Sequence, residues 1–490
     1  MDLRGAPETK DFRLKRMNYK DFMSRLDGMV DTQSIVPSAD WEPFVKGMRC
    51  AGGAPLAVLA PGNVDELRAI VSLCVDAQLP VVPQGANSGL VGAAVPDSSG
   101  RQVVVLTRRL DAIRQLAIAD AVVVVEAGVR LSQLNRTLET HGLQLGIDLG
   151  ADPSIGGMVA TNTGGSRMMR YGDMRRHVLG LEVVLADREA TLISGLRLVR
   201  KDNSRLGWAP LISGAGGALG IITAAAIELD PLPTQSATML FALGGIEAVP
   251  SLVTVLRGAL GELLSACEIM SRASIEVALR HNPSLKNPFR GAPPEQVVLV
   301  EVSTNLDRSL VDAEEALLKA SEALFGHDAL DIRDALIVPA PIAWSLRHAI
   351  SDSLKKEGEV IGLDVSLPLA ALPEFRKEAA TMLAASYPWL KLCDFGHCGD
   401  GGLHFNLVWP HGAGPDSREP ARSAVRMCIY EAVVALGGSF SAEHGLGPSN
   451  TAAFELFTSP EEIRLGWALR RIFDPQELLG RALPSAKSRE

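Results

Sequence analysis

Two histidines frame a tight turn in the stretch GHCGDGGLHFN (Gly396 to Asn406), and an acid–histidine pair, Glu443-His444, follows later in SAEHGLG. Imidazole nitrogens and carboxylate oxygens are the ligands a borderline divalent metal takes, and a catalytic metal keeps three protein ligands and one open position. An imidazole is also suited to general-base work near neutral pH. Asp400-Gly401 is a favoured pair for a two-residue hairpin turn, because both central positions need positive φ. The turn predicts His397 directly opposite His404, with Cβ atoms about 4.5–5.5 Å apart on one face. Asn406 and Phe395 share that face, whereas Cys398 and Leu403 project from the other. His397, His404 and Glu443 are therefore the metal-ligand candidates, with Zn²⁺ the first candidate metal. From the residues alone, Glu443 and His444 can exchange the roles of ligand and base. Two histidines on an isolated hairpin would be an ordinary surface feature; the second acid–histidine stretch shifts the reading toward a site.

A chain of 490 residues is long enough for two or more domains with sizeable cores to position these groups. Net charge is −9 and the pI about 5.6, with Lys and Arg dispersed, so the basic footprint of a nucleic-acid binder is missing. The six cysteines form no CxxC spacing and read as reduced thiols in a cytoplasmic compartment. No apolar run approaches the ~20 residues that span a bilayer, and the amino terminus mixes acids and bases without an apolar centre, unlike a secretory signal.

Asn63 to Glu66 predicts a helix start, with Asn63 as cap and Glu66 as its reciprocal partner. A buried strand then ends at Gly85 and enters the loop Pro83, Gln84, Gly85, Ala86, Asn87, Ser88, Gly89, Leu90, Val91, Gly92. Its glycines admit close backbone approach, and Asn87 and Ser88 add short donors, a composition suited to a pyrophosphate. It is neither a GxGxxG fingerprint nor a P-loop. A second small-residue segment runs from Gly150 to Asp173, with glycine pairs at Gly156-Gly157 and Gly164-Gly165 and Thr161, Asn162 and Thr163 between them. Gly214 to Thr223 is a glycine loop running into a strand. A proline pair near Leu229 to Pro233 marks a boundary. Beyond it, strand-like and helical stretches alternate in an α+β pattern.

These segments, in this order and together with GHCGDGGLHFN and SAEHGLG, resemble the FAD-linked 2-hydroxyacid dehydrogenases of the vanillyl-alcohol oxidase (PCMH-type) family. Within it the nearest resemblance is to the branches acting on D-2-hydroxyglutarate and D-lactate. The resemblance implies an α+β molecule: a leader over 1–41, a two-part α/β FAD-binding domain over 42–233, a substrate domain with an antiparallel sheet over 234–420, and a segment over 421–490 that returns to the flavin. It places FAD on Pro83 to Gly92, Asp148, Pro153, Gly156, Gly157, Thr161, Asn162, Gly164, Gly165, Tyr171, Gly220 and Ile221, and the lack of His or Cys in Pro83 to Gly92 predicts that the FAD is non-covalent. It implies a small 2-hydroxy acid held by Arg347, Ser351, Asn406 and His444, with His444 as the base and Glu443 as the ligand. Electrons would pass to an electron-transfer flavoprotein or a quinone, not to NAD, and a homodimer is compatible.

Three departures stand against that resemblance. The family's substrate lysine falls at Gly362. Its Gly-Ser-Glu-Gly-Thr-Leu-Gly reads Gly214-Ala-Gly-Gly-Ala-Leu-Gly220 here, and its Asn-Pro-Gly-Lys close reads Gly480-Arg-Ala-Leu483. Absence of the lysine predicts weaker discrimination for a second carboxylate. Two rival readings are a non-redox FAD transferase of the alkyl-glycerone phosphate synthase kind and a metal-dependent hydrolase.

Overall fold

The computed structural model describes residues 17–325, 330–415 and 418–483. Its first sheet is parallel, with Val103–Leu106 between Ala57–Leu59 and Val81–Gln84. The four-residue aliphatic run of the central strand is buried throughout, as a strand covered on both faces requires. Helix Val64–Asp76 packs against this sheet and starts at Asn63, whose side chain accepts the Glu66 N–H at 2.9 Å. The expected return bond from Glu66 to its cap is not made. Its carboxylate instead accepts from the Ser34 hydroxyl at 2.6 Å and from the backbone N–H groups of Gly62 and Asp31. Residues 17–41 are thereby tied down, and Phe22 and Leu26 of helix Tyr19–Leu26 enter the same apolar cluster. The first sixteen residues lie outside the described residues.

The second sheet is antiparallel, in the order Ile113–Ala117, Val122–Glu126, Ile221–Glu228, Val178–Val184, Leu192–Ser194. Helix Leu131–Glu139 buries Leu131, Leu134 and Leu138 against it, which is the stripe its spacing predicts. The third sheet has seven antiparallel strands. Their order is Ile332–Ile337, Gln235–Leu243, Gln296–Thr304, Leu264–Ser271, Lys391–Gly396, Gly402–Pro410 and Gly358–Ser366. Helices Val249–Leu260, Ala313–Phe325, Leu372–Ser386 and Arg418–Ala435 contribute to the core on one face, and Arg272–His281 and Ala340–Glu357 to that on the other. The carboxy-terminal helix Pro460–Phe473 opens with the capping box of Ser459 and Glu462. The chain then returns to the first sheet, where Leu479 bridges Val81 and Gly480 donates to the Val81 carbonyl. Among the described residues, no helix is long and apolar enough to cross a membrane.

The hairpin that carries both histidines differs from the expected one. His404 stands opposite Phe395, not His397, and strand pairing stops at Gly396. Residues 397–401 form the loop. Asp400 and Gly402 both donate to the His397 carbonyl, and Gly401 alone of the Asp-Gly pair takes positive φ. The slip is even in residues, so the face assignment survives: His404 and Asn406 stay on one side, and Cys398 points away, its thiol donating to the Cys267 carbonyl at 3.3 Å.

Candidate active site

A cavity of about 760 Å³ lies between the glycine loops of the first two sheets and one face of the third. Loop residues from Pro83 to Leu90 line it, as do Asp148, Pro153, Gly156, Gly157, Thr161, Gly165, Gly220 and Ile221. The opposite wall carries Arg347, Ser351, His397, His404, Glu443 and His444. Segments scattered over most of the chain thus meet in one space.

Around the two histidines the geometry is tight. His397 Nε2 is 3.2 Å from His404 Nε2 and 3.4 Å from Glu443 Oε2, and the third side, His404 Nε2 to Glu443 Oε2, is 4.0 Å. Ligands about 2.0–2.1 Å from a tetrahedral metal lie about 3.3–3.4 Å apart, so two sides of this triangle fit an ion and the third needs a small contraction. Both imidazoles are oriented from behind. His397 Nδ1 bonds Glu268 at 2.5 Å, and His404 Nδ1 faces Asp364 at 3.4 Å. A carboxylate behind Nδ1 fixes the proton there and leaves the Nε2 lone pair for a metal. A second grouping, Asp364, His404 and His444, shares His404 with the first.

The charges of this cluster are interdependent. Burial alone would push the His397 pKa down, but Glu268 and Glu443 outweigh it and raise it well above the usual value. Burial likewise opposes ionisation of Glu268 and Glu443, yet His397 holds both carboxyls down to about 2, helped by Arg347 for Glu268 and by His404 for Glu443. Without a metal, a proton on His397 binds the two carboxylates; a divalent cation would take over that task. Asp364 is also driven well below the carboxylate range despite burial, by His444 and His404 and by backbone N–H donation from Glu443. His444 moves the other way, lowered by burial and by the nearby His404 and Arg49, against the pull of Asp364. It is therefore held neutral at neutral pH, the state a base needs.

Glu443 also joins the two walls. Its Oε1 accepts the Gly165 N–H at 3.0 Å, so the second glycine loop and the metal-ligand candidate touch directly. A Cβ on Gly165 would strike the Asp148 carbonyl, and its φ of +110° is open essentially to glycine alone. Asp148 in turn takes Arg167 at 2.9 Å, and Arg167 reaches Glu301 of the third sheet at 2.7 Å, where Trp344 Nε1 also donates.

Five expected site residues lie off the cavity wall. Gly92 backs onto Cys50 and Pro448. Asn162 ends helix Ile155–Thr161 in the left-handed region, donating to Asp173 and accepting from the Arg175 N–H. Gly164 lies against Met168 and Glu443. Tyr171 is buried over Gly146, with its hydroxyl accepting from Gln144. Asn406 is buried and its amide donates to the His404 carbonyl at 3.1 Å. Asn87, expected as a ligand donor, lines the cavity but spends its amide on the Pro43 and Lys46 carbonyls.

Sequence reading missed Glu268, Asp364 and Arg49. An acid inside an apolar strand, as in Leu264–Ser271 and Gly358–Ser366, was the available signal for the first two. Two of the departures from the family pattern prove to be neighbours: a Cβ on Gly216 would collide with the Ala482 methyl. The absence of a side chain at Gly216 leaves the room that the Ala482 methyl occupies.

Two family models match the chain: the FAD binding domain over residues 55–192 and the C-terminal domain of FAD linked oxidases over residues 232–482. A mitochondrial protein of Oryza sativa subsp. indica, named probable D-2-hydroxyglutarate dehydrogenase, is 33% identical over 91% of this chain and 76% of its own. The mitochondrial D-2-hydroxyglutarate dehydrogenase of Rattus norvegicus is 32% identical over 90% of this chain and 79% of its own. Among solved structures, an alkyldihydroxyacetonephosphate synthase shares the fold with a TM-score of 0.73 at 15% identity, over 96% of this chain and 86% of that one.

Proposed function

Because this chain belongs to the FAD-linked oxidase family, we propose that it oxidises a D-2-hydroxy acid to the 2-oxo acid in the cavity between its glycine loops and its third sheet. The observation that carries this reading is the Glu443 bond to Gly165: it sets a neutral base and a cation-binding triangle directly against the loops expected to hold the flavin. FAD supplies the acceptor for the hydride. Gly89 and Gly150, where a Cβ would meet no atom within 4 Å, leave open space for it along the loops. The loop Pro83 to Gly92 carries neither His nor Cys to attach to a flavin, which is the reason for proposing FAD held without a covalent bond.

The chain's own residues divide the remaining work. Arg347 is anchored through Nε to Glu268 at 2.7 Å, which leaves its terminal nitrogens to hold the substrate carboxylate. Ser351 lines the same wall one helical turn on. His444 takes the hydroxyl proton. His397, His404 and Glu443 would hold a divalent metal whose charge lowers the hydroxyl pKa. Asn406 supports His404 through its carbonyl instead of reaching into the cavity. Electrons then leave to a flavoprotein or quinone acceptor.

Anaerobic mixing with D- and L-2-hydroxy acids tests the reading. D-acids should bleach the flavin band and their L-isomers should not. A purified, flavin-loaded protein that no D-2-hydroxy acid reduces would refute it.

A further inference from the structure

Gly362 lies on Gly358–Ser366 directly opposite Asn406, and Asp364, two residues on, lies opposite His404. Position 362 therefore shares a face with the catalytic cluster. That position has no side chain, yet its space is filled. A Cβ built on Gly362 would collide with Nη1 of Arg49, with Cζ at 3.0 Å and Asn406 Oδ1 at 3.2 Å. Arg49 comes from a different part of the molecule, between the short helix Glu42–Val45 and strand Ala57–Leu59.

Several contacts hold that segment in place. Asn87, in the left-handed region at φ +55°, donates to the Pro43 and Lys46 carbonyls at 3.1 and 2.7 Å. Gly53 donates to the Val45 carbonyl. Cys50 packs against Gly92, where a Cβ would meet its sulfur at 2.9 Å. The loop expected to cradle the cofactor thus also fixes the segment that delivers Arg49.

Four Arg or Lys side chains reach the cavity wall, and three are committed. Arg130 bonds the Asp152 carbonyl, Lys355 pairs with Asp352, and Arg347 pairs with Glu268. Arg49 makes no hydrogen bond or ion pair among the described residues, although its charge feels Asp364. Arg426 is also near, but its Nη1 is spent on the Gly362 carbonyl and the Tyr430 hydroxyl, and it is not on the wall. Arg347 is held through Nε alone, which leaves its terminal nitrogens open, so two cations face the cavity from different sides of the histidines, Arg347 beside Glu268 and His397, Arg49 beside Asp364 and His444.

We propose that Arg49 binds the distal carboxylate of a D-2-hydroxy diacid, supplying from the amino-terminal segment the cation that position 362 lacks. The proposal rests on the D-2-hydroxy acid reading above and narrows it to dicarboxylic substrates. It reverses the expectation that absence of a cation at 362 weakens diacid discrimination. A guanidinium suits this role because it pairs with a carboxylate through two parallel N–H bonds.

The test compares kcat/KM for D-2-hydroxyglutarate and for D-2-hydroxypentanoate, which has the same chain length without the second carboxylate. The FAD-loaded native protein should favour the diacid. Arg49→Gln should lower the diacid value about 10- to 100-fold, the scale of a lost charge-assisted pair, and the monoacid value less than threefold. Gly362→Ala, which crowds the guanidinium without removing it, should move the diacid in the same direction by a smaller factor. Arg49→Gln/Gly362→Lys should recover part of the diacid preference. Equal losses on both substrates, or no loss on the diacid, would overturn the role of Arg49. A native protein that turns over neither acid would instead overturn the reading beneath it. If Arg49→Gln does not retain its flavin spectrum, the Gly362→Ala result decides: an unchanged diacid-to-monoacid ratio there refutes the proposal.

Discussion

The histidine pair has two flanks, and they are built on opposite principles. On one, Glu268 is fully buried in a central strand and is shared between His397 Nδ1 and Arg347 Nε, while the Arg347 guanidinium lies over the Phe395 ring at 4.5 Å. Every charge there is matched by another charge. On the other flank, Asp364 Oδ2 accepts the backbone N–H groups of Glu443 and His444 at 2.7 and 2.8 Å, and the imidazoles of His404 and His444 stand farther off, at 3.4 and 3.6 Å. Here one carboxylate positions a loop, and the neighbouring cation, Arg49, makes no hydrogen bond or ion pair among the described residues. The first flank is arranged for rigidity. The second retains the groups that have work left to do: a neutral base and a free guanidinium.

His404 belongs to both candidate ligand groupings, so losing what it shares should have the largest effect. His404→Ala, or removal of divalent metal with a chelator, should reduce turnover below about a hundredth while the flavin spectrum stays intact, and added Zn²⁺ should restore the chelated protein but not the variant. A metal-free preparation with full activity would remove the cation from this picture. Next in size is His444→Asn, which should slow flavin reduction by ~10²-fold in stopped-flow mixing while FAD and metal stay bound. Because burial, helped by the nearby Arg49, lowers its pKa, the native kcat/KM should hold its plateau as pH falls past the ordinary imidazole value of about 6.5, and decline only below it. An acid limb at or above 6.5 would contradict a lowered base, and an unslowed variant would contradict the assignment altogether.

What could be read from the sequence follows the same division. Glycine loops, caps and the hairpin histidines are local patterns, since backbone conformation and side-chain alternation are settled within a few residues. Even the misjudged turn kept its consequence, because a two-residue slip leaves His404 on the same face. The orienting carboxylates are not local. Glu268 and Asp364 reach the histidines from strands far away in sequence, and only the sheet order brings them together. Arg49 lies further from prediction still, in an irregular segment without periodicity, and its meaning depends on a side chain missing from Gly362. The acids carried a faint signal as charges in apolar strands; the arginine carried none.

Replacing each carboxylate by its amide sharpens the comparison at smaller scale. Asp364→Asn keeps an acceptor for the loop N–H groups but turns a donor toward His404 Nδ1, favouring the tautomer that carries its proton on Nε2. Metal affinity should fall about 10- to 100-fold, the range for losing such an orienting partner, and flavin reduction about tenfold at fixed metal, with little change in melting temperature. Equilibrium metal titration and stopped-flow reduction check the two effects, and an unchanged affinity would show that Asp364 does not set the tautomer.

Glu268→Gln should show its difference in stability. A neutral imidazole leaves no unpaired charge when its carboxylate is replaced by an amide, but an arginine guanidinium is always charged, so Arg347 would be left as an unpaired buried charge. Holding the Glu268 carboxyl near 2 instead of 4.5 corresponds to about 3 kcal/mol of folding stability. A depressed carboxylate contributes that stability above its unfolded pKa and loses it as pH falls toward its folded one. The gap in melting temperature between native protein and Glu268→Gln should therefore be full at pH 7, begin to narrow below about pH 4.5, and exceed the gap for Asp364→Asn throughout the neutral range. Thermal melts of the three flavin-loaded proteins at pH 7, 5 and 4 make the comparison. If Asp364→Asn proves the more destabilising of the two, the structural burden lies on the loop-binding flank, and the division drawn between the two sides is reversed.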